Sequence, residues 1–306
     1  MVIVSGSDTK FVPGVLILIY SAWLNNPDAQ FYVIDAGISA KGRDRIDAFC
    51  RRHGIRCGLL KADPALLARL PVAIHWSQAV YARLLIPELL PQHSRAIYID
   101  SDAVVTTSLS ELWDLDLGDN LVAGCLDGMM DPAFLAGVGM RADEYVNSGV
   151  IVMDLDRWRA ERVSEQAIAI LDARPDLGYP DQTALNLVTR GRAKLLDRRF
   201  NFLAREITRF EKMTPSIVHY AGPDKPWANK RCPLSEIFEA YRIASGADIP
   251  EPPRGWEFKT FRRTVMGLLS LRPKYWRRVA FGRHYRAAFV DPHIAMVKSK
   301  AAALMR

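Results

Sequence analysis

The first hundred residues alternate between short apolar stretches and longer amphipathic ones, and this alternation limits the possible folds more than any other feature of the chain. The apolar stretches predict three strands, Met1–Ser5, Gln30–Asp35 and Ile55–Leu60. Between them, helices are predicted from Pro13 to Leu24 and from Gly42 to His53. Strands joined by helical crossovers run parallel. The sequence therefore predicts an α/β fold with a mostly parallel central sheet and flanking helices.

The same kind of pattern continues through the rest of the first 220 residues. It predicts a helix over Ser77–Leu90, strands over Arg95–Ile99 and Val146–Leu155, helices over Asp156–Arg174 and Asp181–Arg190, and a strand over Ser216–Tyr220. In open α/β sheets, ligands bind beyond the carboxyl ends of the strands. Asp8, Asp100 and His219 lie at or just after the end of a predicted strand, which makes them candidates for one shared site.

Positive charge is concentrated at the C-terminal end of the chain. The net charge is +7, yet residues 254–306 hold 13 Lys/Arg and 2 Asp/Glu, whereas residues 1–253 hold 28 and 32. The run Pro250-Glu251-Pro252-Pro253 predicts an extended boundary. We therefore expect a main domain over residues 1–249 and a basic helical extension over residues 250–306.

The extension combines cations with apolar and aromatic residues. Its apolar residues recur at helical spacing, at Phe258, Phe261, Val265, Leu268 and Leu269, and are followed by Tyr275-Trp276-Arg277-Arg278. Such a mixture suits the headgroup region of an anionic bilayer, where each cation contributes ~1 kcal/mol. Nucleic-acid binding and a helix packed on the main domain are the alternatives. We expect an anionic membrane surface as the partner, and no nucleic acid.

The cysteines and the N-terminus indicate a cytoplasmic protein. The four cysteines lack the CxxC spacing of a zinc or redox site, which favours reduced, buried thiols. The N-terminus lacks the basic region and cleavage site of a signal peptide. The apolar stretch Phe11–Leu24 is too short to span a membrane and predicts a buried helix.

Two carboxylates end the strand that is predicted over Arg95–Ile99. Asp100 and Asp102 are two residues apart, so in an extended chain they point to the same side. Such a pair can bind one divalent cation, and the cation can bind a diphosphate. The alternative is a loop with helix-capping aspartates.

His219 is the candidate third metal ligand, because two carboxylates with one imidazole suit Mn²⁺ better than Mg²⁺. Gly222 follows and permits close approach of the backbone, and Lys225 can place a charge on a phosphate. A hydrogen-bonded structural histidine is the alternative at this position.

Two polar segments adjoin apolar elements, around Asn147 and at Asp181-Gln182. Amide and carboxylate side chains suit the recognition of sugar hydroxyl groups. Capping is the alternative, since Asp181 would make a good N-cap for the helix that follows.

These motifs, in this order, resemble the family 8 retaining glycosyltransferases, in particular the bacterial lipopolysaccharide galactosyl- and glucosyltransferases. The resemblance extends from Ile3 to Trp227. It is supported by four further strings, Val33-Ile34-Asp35-Ala36-Gly37-Ile38-Ser39, Tyr81-Ala82-Arg83-Leu84, Leu112-Trp113-Asp114-Leu115-Asp116-Leu117-Gly118-Asp119-Asn120 and Arg199-Phe200-Asn201-Phe202. It implies a GT-A fold with a Rossmann-like central sheet.

The resemblance also implies roles for individual residues. Asp100, Asp102 and His219 would bind Mn²⁺, for which Mg²⁺ is a possible substitute. The nucleotide would contact Gly6, Asp8, Phe11, Asp100, Ser101, Asp102, Gly222 and Lys225. The donor sugar would contact Arg83, Asn147, Asp181 and Gln182, with Asp181 and Gln182 nearest the reacting carbon, and Asp127 would face the acceptor.

The implied reaction moves galactose or glucose from a UDP-sugar to a saccharide acceptor with retention of configuration. Gln182 is a poor nucleophile, so we favour a front-face route in which the leaving phosphate helps to deprotonate the acceptor. A lipopolysaccharide or another lipid-linked glycan is the expected acceptor, which would place the protein peripherally at the inner face of the cytoplasmic membrane. The alternatives are a glycogenin-like transferase that modifies itself or another protein, and a non-catalytic, membrane-associated protein that binds sugar nucleotides.

Three features depart from the family pattern. Phe11 stands where the family often has Tyr, so stacking on the base is kept and a hydroxyl is lost. Lys10 replaces a usual Asn near the nucleotide. The stretch from Leu203 to Pro215 is short where relatives cover the acceptor, so the identity of the acceptor is not implied.

Overall fold

The computed structural model describes residues 1–63, 65, 70, 78–209, 213–229, 232–251 and 284–304. At its centre lies a seven-stranded sheet in the order β3-β2-β1-β4-β7-β6-β8. Its strands are β1 (Val2–Ser7), β2 (Gln30–Asp35), β3 (Cys57–Lys61), β4 (Arg95–Ile99), β6 (Val122–Leu126), β7 (Val146–Asp154) and β8 (Ala193–Leu195). All neighbours in this sheet are parallel except β7, which runs antiparallel to β4 and β6. The prediction of a mostly parallel sheet is confirmed.

Helices cover both faces of the sheet. The α-helices of the described residues are α1 (Val12–Asn25), α2 (Ala40–His53), α3 (Ile86–Leu89), α4 (Ser110–Trp113), α5 (Pro132–Gly137), α6 (Leu155–Ala160), α7 (Val163–Ala173), α8 (Pro180–Val188), α9 (Ser235–Ser245) and α10 (Asp291–Leu304). Short 3₁₀ helices lie at Thr9–Phe11, Gln78–Leu85, Arg198–Asn201 and Ala204–Arg209.

The two faces of the sheet belong to two apolar cores, because successive side chains of a strand point to opposite sides. On β1, Ile3 packs in the core beneath α1, α2 and α9, whereas Val4 packs in the core beneath α6, α7 and α8. On β4, Ile97 and Tyr98 divide in the same way. Burial on both faces explains why these central strands read as continuous apolar runs.

A second, three-stranded sheet positions part of the candidate site. It consists of β5 (Ala103–Val105), β10 (Ile217–His219) and β9 (Phe202–Leu203), in that order. β10 pairs antiparallel with β5, which places His219 opposite Ala103, and parallel with β9. Since β5 begins directly after Asp102, this pairing brings His219 to the carboxylates at the end of β4.

Two predicted helices differ from the observed ones. The helix expected over Ser77–Leu90 is a 3₁₀ helix followed by the single turn α3, with Pro87 in its first turn. Proline lacks the amide hydrogen that a continuous α-helix would need at that point. The helix expected over Asp156–Arg174 is divided into α6 and α7, because Arg162 between them has a left-handed φ of 53°.

The last described segment packs against the main domain. Tyr285, Phe289, Val290 and Val297 belong to the core that also contains α1 and α9. The buried His293 ring nitrogen lies 3.0 Å from the Tyr241 hydroxyl oxygen of α9. The predicted amphipathic stretch and the aromatic-basic run of residues 258–278 lie outside the described residues. Within the described part of the chain, no helix combines the length and the apolar run needed to cross a bilayer.

Candidate functional site

The sequence Asp100-Ser101-Asp102 forms a tight turn between β4 and β5. The Asp100 amide donates to the carbonyl of Gly149 on β7 over 2.7 Å, and the Ala103 amide donates back to the carbonyl of Asp100 over 3.1 Å. A strand rather than a helix follows the turn, so neither aspartate is a helix cap. The two carboxylates are therefore held at the carboxyl end of β4 by the sheet itself.

His219 completes a three-residue cluster with these carboxylates. Its Nε2 lies 3.3 Å from Asp102 Oδ1 and 3.7 Å from Asp100 Oδ2, and one ligand atom from each of the three residues lies within 4.8 Å of the others. Its other ring nitrogen, Nδ1, lies 2.8 Å from Asn201 Oδ1. Two carboxylate oxygens and one imidazole nitrogen that converge in this way fit a divalent cation.

Lys225 balances the buried charge of Asp102. The Lys225 ammonium pairs with Asp102 Oδ2 and also donates to the carbonyl of Tyr220 over 3.0 Å. Burial alone would raise the pKa of the Asp102 carboxyl, but His219 and Lys225 hold it well below its usual range. Asp102 is therefore a carboxylate at neutral pH and can act as a ligand.

Arg83 joins the metal cluster to the second polar segment. Its buried guanidinium donates from Nη2 to Asp100 Oδ1 over 2.8 Å, pairs through Nε with Asp181 Oδ2 at 3.1 Å, and also donates to the Ser148 hydroxyl. Burial opposes its charge, but Asp100 raises the pKa of Arg83 above its ordinary value. The Tyr98 ring packs beneath this cation at 4.6 Å. Arg83 is thus a fixed, charged link between two carboxylates.

The predicted sugar-pocket residues meet around Asp127. Its Oδ2 accepts from Asn147 Nδ2 over 2.9 Å and from Gln182 Nε2 over 3.1 Å. The Ser148 amide donates to Gln182 Oε1 over 3.1 Å. The N-cap position of α8 is Tyr179, so Asp181 pairs with Arg83 and does not serve as the cap. Burial raises the pKa of the Asp181 carboxyl, while Arg83 lowers it.

Two residues assigned to the nucleotide, Asp8 and Phe11, lie in the turn after β1. Asp8 accepts from the amides of Lys10 and Phe11 over 2.8 and 3.2 Å, which fixes the turn after β1. The Phe11 ring lies 5.5 Å from Lys225 Nζ and meets the Trp227 ring edge-on at 5.7 Å.

Three further residues assigned to the nucleotide are small or buried. Gly6 is required where β1 meets the 3₁₀ helix Gln78–Leu85, because a Cβ there would lie 2.4 Å from Ala82 Cβ. Gly222 has a φ of 104°, a left-handed conformation that favours glycine. Ser101 is buried between the two aspartates. The structure thus joins the candidate metal ligands, Lys225 and the predicted sugar-pocket residues in one network of contacts, and the contacts of any residue with a nucleotide stay a prediction.

Sequence reasoning missed several residues that shape the site. Asn201, Ser148, Tyr98 and Gly149 each contact a candidate ligand or sugar-pocket residue. Asn201 lies in a string that supports only the resemblance to the family, and Ser148 lies in the polar segment around Asn147 but has no predicted role of its own. The available signal for Gly149 is a glycine inside a predicted strand, which often marks a close approach of other atoms.

Gly149→Ala tests the packing of the metal cluster. A Cβ at this position would lie 2.3 Å from His219 Cε1 and 2.7 Å from Asp100 Oδ2, so both ligands would have to move. We expect at least a tenfold loss of Mn²⁺ affinity, measured by calorimetry. Gly137→Ala is the matched control, because a Cβ there meets nothing within 4 Å and the glycine has no left-handed φ. Equal Mn²⁺ affinity in the two variants would contradict the cluster.

Comparison with known proteins identifies the family of this chain. The model of the family described as glycosyl transferase family 8 matches residues 2–231. A lipopolysaccharide 1,2-glucosyltransferase of Escherichia coli K12 is 28% identical over 242 residues, which cover 72% of this chain and 71% of the relative. A lipopolysaccharide 1,3-galactosyltransferase of Salmonella typhimurium is 27% identical over 253 residues, covering 76% and 75%.

A solved structure is also similar over most of this chain. The galactosyltransferase LgtC, in complex with donor and acceptor sugar analogues, superimposes with a TM-score of 0.73 at 28% identity, covering 84% of this chain and 99% of that one. The predicted GT-A fold is confirmed. The family model covers most of the chain, and the chain belongs to glycosyl transferase family 8.

Proposed function

We propose that this glycosyltransferase is a retaining hexosyltransferase that moves galactose or glucose from a UDP-sugar to a saccharide acceptor. One observation carries the proposal: the cluster of Asp100, Asp102 and His219 is joined through the Arg83 guanidinium to Asp181, beside the polar pocket of Gln182. A site for a metal and diphosphate thus adjoins a pocket whose side chains suit sugar hydroxyl groups. A rival function in nucleotide binding alone would leave this second pocket unexplained.

The residues of the cluster suit a reaction in which UDP departs. A divalent cation, which we propose is Mn²⁺ with Mg²⁺ as a substitute, supplies positive charge beside the diphosphate when it is bound. Lys225 adds a second positive charge at the same edge, and the Phe11 ring offers an apolar face for a base. Asp100 pairs with Arg83 and Asp102 pairs with Lys225, so the candidate ligands are held in place before any substrate arrives.

The contacts of Asp181 and Gln182 favour the front-face route. Asp181 is tied to Arg83, and the Gln182 amide is bonded at both ends, to Asp127 and to the Ser148 amide. Either side chain would have to give up these contacts in order to attack the anomeric carbon. These contacts support roles in orienting the donor sugar, with the leaving phosphate assisting deprotonation of the acceptor. A glycosyl adduct trapped on either residue would contradict this route.

The names of the relatives suggest the acceptor. Lipopolysaccharide glucosyl- and galactosyltransferases are similar to this chain over roughly three quarters of its length. We propose a lipopolysaccharide or another lipid-linked glycan as the acceptor, with Asp127 facing it. The protein would then act in the cytoplasm, at the inner face of the membrane.

Hydrolysis of UDP-sugars without acceptor tests the donor and the metal together. We expect release of UDP from UDP-galactose or UDP-glucose in Mn²⁺, little from UDP-N-acetylglucosamine, and none in a chelator. Asp102→Asn removes a ligand charge and should lower the rate by roughly 100-fold or more. The exposed Asp114→Asn is the matched control and should not change the rate. Hydrolysis that survives the chelator would contradict the metal-dependent mechanism.

The basic extension is proposed to bind an anionic membrane surface. Residues 254–283 hold nine Lys/Arg and one Glu. Removing the whole extension would be a poor test, because Tyr285, Phe289 and Val297 are buried in the core of the main domain. Replacement of individual cations in the full chain avoids this exposure of apolar surface.

Flotation with liposomes measures that binding. The fourfold variant Arg262→Gln, Arg263→Gln, Arg277→Gln and Arg278→Gln should bind phosphatidylglycerol vesicles on the order of a thousandfold more weakly, because each cation near the surface contributes ~1 kcal/mol. The control variant replaces four exposed cations of the main domain, Lys41, Arg51, Arg141 and Arg174, with Gln. Equal flotation of the two variants would contradict the proposal that the extension anchors the protein to the membrane.

A further inference from the structure

A chain of hydrogen bonds runs from His219 to the sugar pocket. His219 Nδ1 lies 2.8 Å from Asn201 Oδ1, and Asn201 Nδ2 lies 2.8 Å from Asn147 Oδ1. Asn147 Nδ2 then donates to Asp127 Oδ2 over 2.9 Å. Asn201 is buried, at 2% exposure, and so has no water to replace a lost partner. These hydrogen bonds therefore connect the metal cluster to the sugar pocket through the side-chain amides of Asn201 and Asn147.

The orientation of the Asn147 amide determines which atom donates and which accepts in each of these hydrogen bonds. The Asp127 carboxylate can only accept, so Asn147 must present its amino group to it. The Gly149 amide donates to Asn147 Oδ1 over 3.0 Å, which confirms that orientation. Asn201 must then donate with Nδ2 to Asn147 and turn its Oδ1 towards His219. An oxygen at that point requires a proton on His219 Nδ1.

A proton on His219 Nδ1 also determines the state of the other ring nitrogen, Nε2. In a neutral imidazole that carries its proton on Nδ1, Nε2 keeps a lone pair. That Nε2 is the atom that faces Asp100 and Asp102, at 3.7 and 3.3 Å. With its proton fixed on Nδ1, a neutral His219 ring therefore presents to the cluster the lone pair that a metal ligand needs.

We propose that Asn201 is a positioning residue that holds His219 in the metal-binding tautomer and couples the metal cluster to the Asn147–Asp127 pocket. This inference rests on the metal site of the proposed function. Reversing the Asn201 amide would set its oxygen against Asn147 Oδ1, which is also an acceptor. The cost of that lost hydrogen bond keeps the side chain in one orientation.

Two substitutions at Asn201 separate its two bonds. Asn201→Ala removes both, and loss of the residue that orients a histidine ligand typically lowers metal affinity by about 10- to 100-fold. Asn201→Asp keeps an oxygen for His219 Nδ1 but has no donor for Asn147. We expect its Mn²⁺ affinity to stay within about threefold of that of the unaltered protein. Its kcat/KM for UDP-sugar hydrolysis should fall, because the hydrogen bond from residue 201 to Asn147 is lost.

The experiment titrates the full chain with Mn²⁺ alone and reads free Mn²⁺ by electron paramagnetic resonance. Asn186→Ala is the matched control, because Asn186 is equally buried and bonds to the backbone of Val146, away from His219. It should lower the melting temperature without weakening Mn²⁺ binding. Melting temperatures of all variants show whether each one is folded.

The pattern across the variants decides the proposal. Weak Mn²⁺ binding by Asn201→Ala, with near-normal binding by Asn201→Asp and Asn186→Ala, supports it. Equal weakening in the two Asn201 variants, or affinity of Asn201→Ala within twofold of the unaltered chain, overturns it. An unaltered chain that binds no Mn²⁺ contradicts the proposed metal site itself. Because the titration contains no nucleotide, failure of UDP-sugar hydrolysis leaves its result intact.

Discussion

The close approach of two carboxylates and one imidazole at the end of β4 is the constraint on which the rest of the structure depends. Asp100 and Asp102 place two acidic groups in one turn, and the protein sets one cation against each of them, Arg83 and Lys225. The two sheets must meet at this point, because the aspartates lie in the turn from β4 of the large sheet to β5 of the small one, and His219 ends the strand that pairs with β5.

The same side chains that stabilise the cluster also extend it. Arg83 reaches from Asp100 to Asp181, and Asn201 reaches from His219 towards Asn147. The pocket proposed for the donor sugar is therefore tied to the cluster proposed for the metal along two separate routes. Such fixed contacts hold polar groups in place before substrate arrives, which is how preorganised sites stabilise charge that develops in a transition state.

The sequence predicted the elements with strong local patterns and missed those defined by distant contacts. The strands Gln30–Asp35 and Arg95–Ile99 were predicted with their observed bounds, because burial on both faces makes them continuous apolar runs. Strand β5 has three residues, too few to show a period, and exists because β10 pairs with it. The role of Asn201 depends on a bond to a residue 18 positions away, which no local pattern reveals. The basic charge of the C-terminal extension favours a membrane surface, so the packing of α10 on the rest of the chain is predicted only as an alternative.

The central claim is that Asp100, Asp102 and His219 hold a divalent cation that in turn holds a diphosphate. Calorimetric titration of UDP into the full chain, with Mn²⁺ and then with a chelator, tests it most directly. Binding of the cation and of UDP must be coupled reciprocally if they share contacts. We expect Mn²⁺ to tighten UDP binding at least tenfold and His219→Ala to abolish this gain. Equal UDP affinity with and without Mn²⁺ would contradict it.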